Sequence, residues 1–176
     1  MKRNAQKAAF DSAKTVALVI AFLGIVALAI AWFFQLVIGI QPCPLCLEQR
    51  YAYYFSAPLA LLIVFGANCR IHWSGLALCF FAILVASLGN AGFGVYHAGV
   101  EWKLWQGPND CSGPLLSIES AEHLLASLES AKVVRCDEVQ WRFLGLSLAG
   151  YSVAVSLLMS TFASIGLLRI IRNRQL

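Results

Sequence analysis

Of the chain's 176 residues, 60% are hydrophobic and 12% are charged, and the mean hydropathy is +0.73. These proportions lie far outside those of a water-soluble globular domain, and a net charge of +4 gives no reason to invoke nucleic acid as a partner. The sequence is that of an integral membrane protein.

A bilayer core about 30 Å thick is crossed by roughly 20 apolar residues in a helix, because lipid cannot pair an open backbone. In chain order the apolar runs predict spans over 15–40, 45–67, 73–96 and 143–168. The first, third and fourth hold no Asp, Glu, Lys, Arg or His. The second is uncharged from Tyr51 to Ala67 and reaches spanning length if its helix begins near Leu45, with Glu48 and Arg50 at the headgroups. The basic segment Met1–Lys14 followed by Ala29-Ile30-Ala31 has the look of a secretion signal. However, the apolar run continues well past Ala31 and is too long for a signal core, which favours a retained helix. The expected architecture is an all-α membrane protein: one domain over 1–176, a four-helix bundle with outer loops near 41–50 and 97–142.

Basic residues in short loops set orientation. Lys2, Arg3, Lys7, Lys14, Arg70, Arg169, Arg172 and Arg174 all fall on one side. Every acid except Asp11 falls on the other, so both termini are expected in the cytoplasm. In the long outer loop, Leu115, Ile118, Ala121, Leu125 and Leu128 recur at helical steps, predicting a short amphipathic helix on the bilayer surface or over the mouth of the bundle. No internal repeat, low-complexity tract or soluble domain is visible.

The six cysteines sort by side. Cys69, in a cytoplasmic turn, and Cys79, within the third span, read as small hydrophobes. Cys43 and Cys46 share the short outer loop "QPCPLCLEQRY", while Cys111 and Cys136 stand well apart in the long one. On an oxidising face such cysteines ordinarily become structural disulfides. That suits the first pair poorly, since a Cys-X-X-Cys bridge closes too small a loop to add much chain-entropy stabilisation. Exchange of electrons suits it better. A helix starting near Leu45 places Cys46 in its first turn, where the dipole and unpaired amides favour a thiolate, with Arg50 one turn on and Pro44 stiffening the link. Zinc held by four thiolates is the chemical rival, but the wide spacing of Cys111 and Cys136 does not resemble a zinc ribbon, and no metal is expected.

Electrons leaving a dithiol need an acceptor. The chain shows no dinucleotide fingerprint, phosphate loop or paired intramembrane histidines for haem. A lipid-dissolved quinone reached beside Cys46 and Arg50 is the economical choice, and His97 at the outer end of the third span falls at the same depth.

Four spans with both ends cytoplasmic, "CPLCLEQR" in the first outer loop and a separated cysteine pair in the second resemble the DsbB family of bacterial inner-membrane disulfide bond formation proteins, over essentially the whole chain. The resemblance implies a thiol:quinone oxidoreductase that uses ubiquinone or menaquinone. Cys111 and Cys136 would form the disulfide presented to a periplasmic thioredoxin-like oxidase of the DsbA type, whose thiolate attacks Cys111. Cys136 would then attack the Cys43–Cys46 bridge at Cys43 and leave Cys46 as thiolate. Arg50 matches the family's quinone-site arginine, and His97 stands at a more variable position. Such partners are strong oxidants, near about −120 mV, so the donor disulfide must itself be strongly oxidising.

Other readings remain. A vitamin K epoxide reductase-like enzyme would carry the separated pair before the Cys-X-X-Cys, the reverse of the order here. A non-enzymatic scaffold would hold four structural cysteines. A carrier of reducing power in the opposite direction would place cysteines inside helices, where only Cys79 lies.

Overall fold

The computed structural model describes residues 2–69, 71–108 and 135–174, with side chains over 10–172. The expected amphipathic helix, Arg70 and Cys111 fall outside the described residues. Among the described residues there are four long helices, α1 (Lys2–Leu36), α2 (Pro44–Asn68), α3 (Trp73–Glu101) and α4 (Leu148–Arg174), and one two-stranded hairpin. All four are long and apolar enough to cross a bilayer, so the chain is a multi-pass membrane protein built as a four-helix bundle.

The helix ends differ from the apolar runs for local reasons. α1 stops at Leu36, short of the expected 40, because the chain turns at Gly39, whose φ of +79° only glycine adopts without strain. At its other end α1 continues back through the basic segment to Lys2. α2 begins with Pro44 in the first helical position, where a missing N–H costs nothing, and Cys43 as N-cap. α3 runs on to Glu101, five residues beyond the expected 96, so His97 and Glu101 are helical and not part of the outer loop. Past its end the chain folds back, and the Trp105 indole N–H donates to the Tyr96 carbonyl at 2.8 Å. The expected start of the fourth span at 143 is replaced by a hairpin: β1 (Arg142–Phe143) pairs antiparallel with β2 (Leu146–Ser147), and α4 begins only at Leu148. Leu144 and Gly145, both at positive φ, form the tight turn that matches strand twist.

The helices pack in a ring, each against its chain neighbours, with α1 closing against α4. Contact is closest between α3 and α4, where Gly166 admits the Phe80 ring and Gly94 admits Val153. Across the interior, Tyr53 of α2 donates to the Ser152 carbonyl of α4 at 3.1 Å, and Asn90 of α3 donates to Ser156 at 2.9 Å. These polar side chains satisfy one another where lipid would not. Outward-facing side chains such as Phe22 and Leu78, 65% and 67% exposed, form the lipid surface. Arg169 of α4 hydrogen-bonds Ser12 of α1, so both termini share one end of the bundle, and Cys43 and His97 lie at the other.

The close approach at Gly166 is directly testable. A Cβ there would fall 2.4 Å from the ring of Phe80, which is fully buried and cannot swing away. Gly166→Ala is expected to cost about 1–3 kcal/mol of stability. Gly89→Ala, where a Cβ meets nothing within 4 Å, is expected to be neutral or stabilising. Thermal unfolding in detergent compares the two.

Candidate functional site

The site is built around the sulfur of Cys43. As N-cap of α2, Cys43 accepts the Cys46 backbone N–H at 3.2 Å, satisfying one of the open donors of the first turn. Its sulfur lies 2.7 Å from the Cys46 sulfur and 3.6 Å from Nε2 of His97. Both cysteines are free thiols, and Cys43 is buried, with 3% exposure. The Cys46 amide, the His97 imidazole and the positive end of α2 all converge on the Cys43 sulfur, which favours negative charge there. The close contact with the Cys46 sulfur, opposed by burial and helped by His97, lowers the Cys43 thiol to about 5. The sequence reading put the thiolate on Cys46; in the free dithiol these contacts favour Cys43.

His97 comes from the last turn of α3 and is 2% exposed. Its Nδ1 lies 2.8 Å from the Gln49 side-chain amide, which holds the ring with Nε2 towards Cys43. One turn further, Glu101 Oε1 is 4.0 Å from the same Nε2, while its buried Oε2 has no hydrogen-bond partner. Ser147 and Arg142 of the hairpin face Glu101 from the other side, the Ser147 side chain within hydrogen-bonding reach of the carboxylate.

Arg50 is buried one turn along α2 from Cys46 and donates to Gln35 Oε1 at 2.7 Å and more distantly to the Ala31 carbonyl, with Trp32 beneath its guanidinium. Among the described residues no carboxylate pairs with it, so its charge is free to act on something else. What lies between these groups is a largely apolar cavity of about 540 Å³ lined by Cys43, Cys46, Arg50, His97 and Glu101. Phe34, Trp141 and Tyr151 supply an aromatic wall, with the Trp141 and Phe34 rings 4.8 Å apart.

Cys136 also reaches this site. It is disulfide-bonded, 1% exposed, and packs in one buried cluster with Cys43, Leu45 and Val100. Arg135 beside it clasps Asp137 through two hydrogen bonds, at 3.0 and 2.8 Å, shaping the turn that presents the sulfur. Cys69 and Cys79 are free thiols outside the site.

The family described as "Disulfide bond formation protein DsbB" matches residues 13–166 of this chain. It belongs to the DsbB family. Among similar proteins, Disulfide bond formation protein B of Cupriavidus metallidurans is 28% identical over 166 residues, covering 90% of this chain and 94% of that protein. The protein of the same name from Aromatoleum aromaticum is 30% identical over 156 residues, with coverage of 81% and 87%. That of Xanthomonas campestris pv. campestris is 32% identical over 133 residues, with coverage of 72% and 73%.

In this DsbB-family chain, the sequence reading named Cys43, Cys46, Arg50, His97 and Cys136 as site residues, and the structure places all five around one cavity. It missed Gln49, Gln35, Glu101 and the aromatic wall. The i,i+4 spacing of His97 and Glu101 was a visible signal, had the helix been carried past residue 96. Gln35 and Gln49 carried none, because their roles depend on how two helices meet.

The placement of charge on Cys43 sets an expected titration. A lowered thiol is ionised above its folded value and protonated below it, so reduced protein should hold its thiolate absorbance from neutral pH down to about 5 and lose it below. Cys43→Ser should abolish that transition, as read by ultraviolet absorbance against pH.

Proposed function

We propose that the chain is a membrane thiol:quinone oxidoreductase that re-oxidises a DsbA-type periplasmic dithiol oxidase. The observation that carries the proposal is the burial of Cys136 against Cys43, beside a cavity that Cys46 and Arg50 line. A chain that only needed structural bridges has no reason to place both cysteine systems at one apolar cavity.

In the proposed cycle, a thiolate of the partner attacks Cys111 of a Cys111–Cys136 disulfide and releases Cys136 as thiolate. Cys136 attacks Cys43 of the Cys43–Cys46 disulfide, forming a Cys43–Cys136 bond and expelling Cys46 as thiolate, which the start of α2 and nearby Arg50 stabilise. The partner's second thiol displaces Cys111, and the partner leaves oxidised. Cys111 then attacks Cys136, restoring their disulfide and freeing Cys43. The net result is an oxidised partner and a reduced Cys43/Cys46 pair. Re-forming the Cys43–Cys46 bond sheds two electrons and two protons.

The cavity suits a flat apolar ring bearing hydrogen-bond acceptors. It is mostly apolar, walled by aromatic rings, and offers the Arg50 guanidinium, whose hydrogen bonds go only to neutral acceptors. A bound quinone supplies the two-electron, two-proton acceptor; ubiquinone and menaquinone both fit this chemistry. Arg50 orients an acceptor oxygen and offsets charge developing there, and His97 exchanges the proton of Cys43. The basic terminal end and the acidic thiol end favour cytoplasmic termini and periplasmic cysteines in a bacterial inner membrane.

Purified protein given a reduced DsbA-type partner and a soluble quinone analogue should reduce the quinone, followed by absorbance. Cys46→Ser should abolish the reaction, and Arg50→Met should lower kcat by about 100-fold. A folded wild type that reduces no quinone analogue and oxidises no such partner would overturn the proposal.

A further inference from the structure

The reduced site also has the makings of a metal trap. The sulfurs of Cys43 and Cys46 and one ring nitrogen of His97 all lie within 4.8 Å of one another. Glu101 Oε1 stands 4.0 Å from the same His97 Nε2, and the carboxylate's other oxygen is buried with no partner. An unsatisfied buried carboxylate oxygen is costly, and a cation is one means of satisfying it.

We propose that the reduced Cys43/Cys46 pair captures a soft divalent cation, Zn²⁺ or Cd²⁺, with His97 as third ligand and Glu101 as fourth. Bonds of about 2.0–2.3 Å to sulfur, nitrogen and oxygen in a tetrahedron put ligand atoms about 3.3–3.8 Å apart. The Cys43–His97 separation of 3.6 Å already meets that. The sulfurs, 2.7 Å apart, must part by about 1 Å, and Glu101, which stands 4.0 Å from His97 Nε2 but outside the 4.8 Å cluster of the other three, must swing in by more than that. The Gln49 amide nitrogen lies at Nδ1; with Nε2 holding the metal, Nδ1 carries the proton, and the amide turns over to accept it through its oxygen, giving the outer hydrogen bond that fixes a ligating imidazole. Two Cys and one residue each of His and Glu match the sulfur and nitrogen preference of zinc and cadmium, unlike the oxygen cages of Mg²⁺ or Ca²⁺.

This site exists only in one redox state. Binding displaces the thiol protons without transferring electrons, and a Cys43–Cys46 disulfide has no thiolate to offer. Capture rests on geometry alone. Its consequence, that a bound cation blocks both re-oxidation of the pair and attack by Cys136, rests on the function proposed above.

The test uses the full chain in detergent, reduced, freed of reductant and washed with chelator, then titrated with Cd²⁺ while the thiolate-to-cadmium charge-transfer band is followed. One equivalent should bind the reduced protein and none the oxidised protein. Glu101→Gln, a near-isosteric change, and His97→Ala should each weaken binding by about tenfold or more, while Cys69→Ser and Cys79→Ser leave it unchanged. Should His97→Ala not fold, Glu101→Gln decides alone. Absent binding, or binding that is equally tight without the Glu101 carboxylate, would overturn the four-ligand site and leave an ordinary vicinal dithiol. Zn²⁺ should also slow quinone-analogue reduction in a way that chelator reverses. Loss of that activity in metal-free wild type would count against the proposed function, while the Cd²⁺ titration would still decide the metal site.

Discussion

The proposed function turns on one constraint: a sulfur that must carry negative charge at the edge of a bilayer. Cys43 meets it by standing at the N-cap of α2, where an unpaired amide and the helix dipole favour an anion, and by facing His97 across a short gap. Much of the fold follows. α2 has to begin at Pro44 for the amide of Cys46 to point at Cys43. α3 has to outrun its apolar segment for His97 and Glu101 to reach the same depth, and the Trp105 fold-back stops it there. The hairpin before α4 closes the remaining side, with Ser147 and Arg142 facing Glu101.

A charged, reactive centre survives in such an apolar protein because each polar group is held by another. Gln49 holds His97, Gln35 holds Arg50, and lower in the bundle Ser152, Ser156, Tyr53 and Asn90 form a neutral network. The buried polar atoms without partners are few: the hydroxyls of Ser56 and Ser87 and one oxygen of Glu101, among the described residues. Only the Glu101 oxygen belongs to a residue lining the cavity beside Cys43.

The four spans were legible because each is a long uncharged run, and lipid imposes that composition strongly. Their ends were not. Hydropathy excludes His97 and Glu101 from a span although backbone hydrogen bonding carries α3 through them, and it includes Val37 to Ile40 although Gly39 turns the chain. The hairpin at 142–147 was hidden by its apolar residues, and only the Leu144-Gly145 turn marked it. At the site, the Cys-X-X-Cys pair and Arg50 could be read because their spacing lies within one helix. The meeting of Cys43 with His97, and of both with Cys136, depends on three segments distant in sequence, which no local pattern encodes. The same holds for Cys43: the first turn of α2 pointed to Cys46, whereas the contact with the Cys46 sulfur, and to a lesser degree His97 of α3, lower the Cys43 thiol.

Everything functional rests on Cys136 and Cys43 being able to bond. The most direct measurement is disulfide mapping by non-reducing peptide mass spectrometry on the Cys46→Ser, Cys111→Ser double variant, in which each of the two sulfurs has lost its proposed partner. A Cys43–Cys136 bridge formed at high yield under mild oxidation is the expected result. Folded protein in which the two stay apart, or in which either bonds to Cys69 or Cys79 instead, would contradict the relay between the two cysteine pairs.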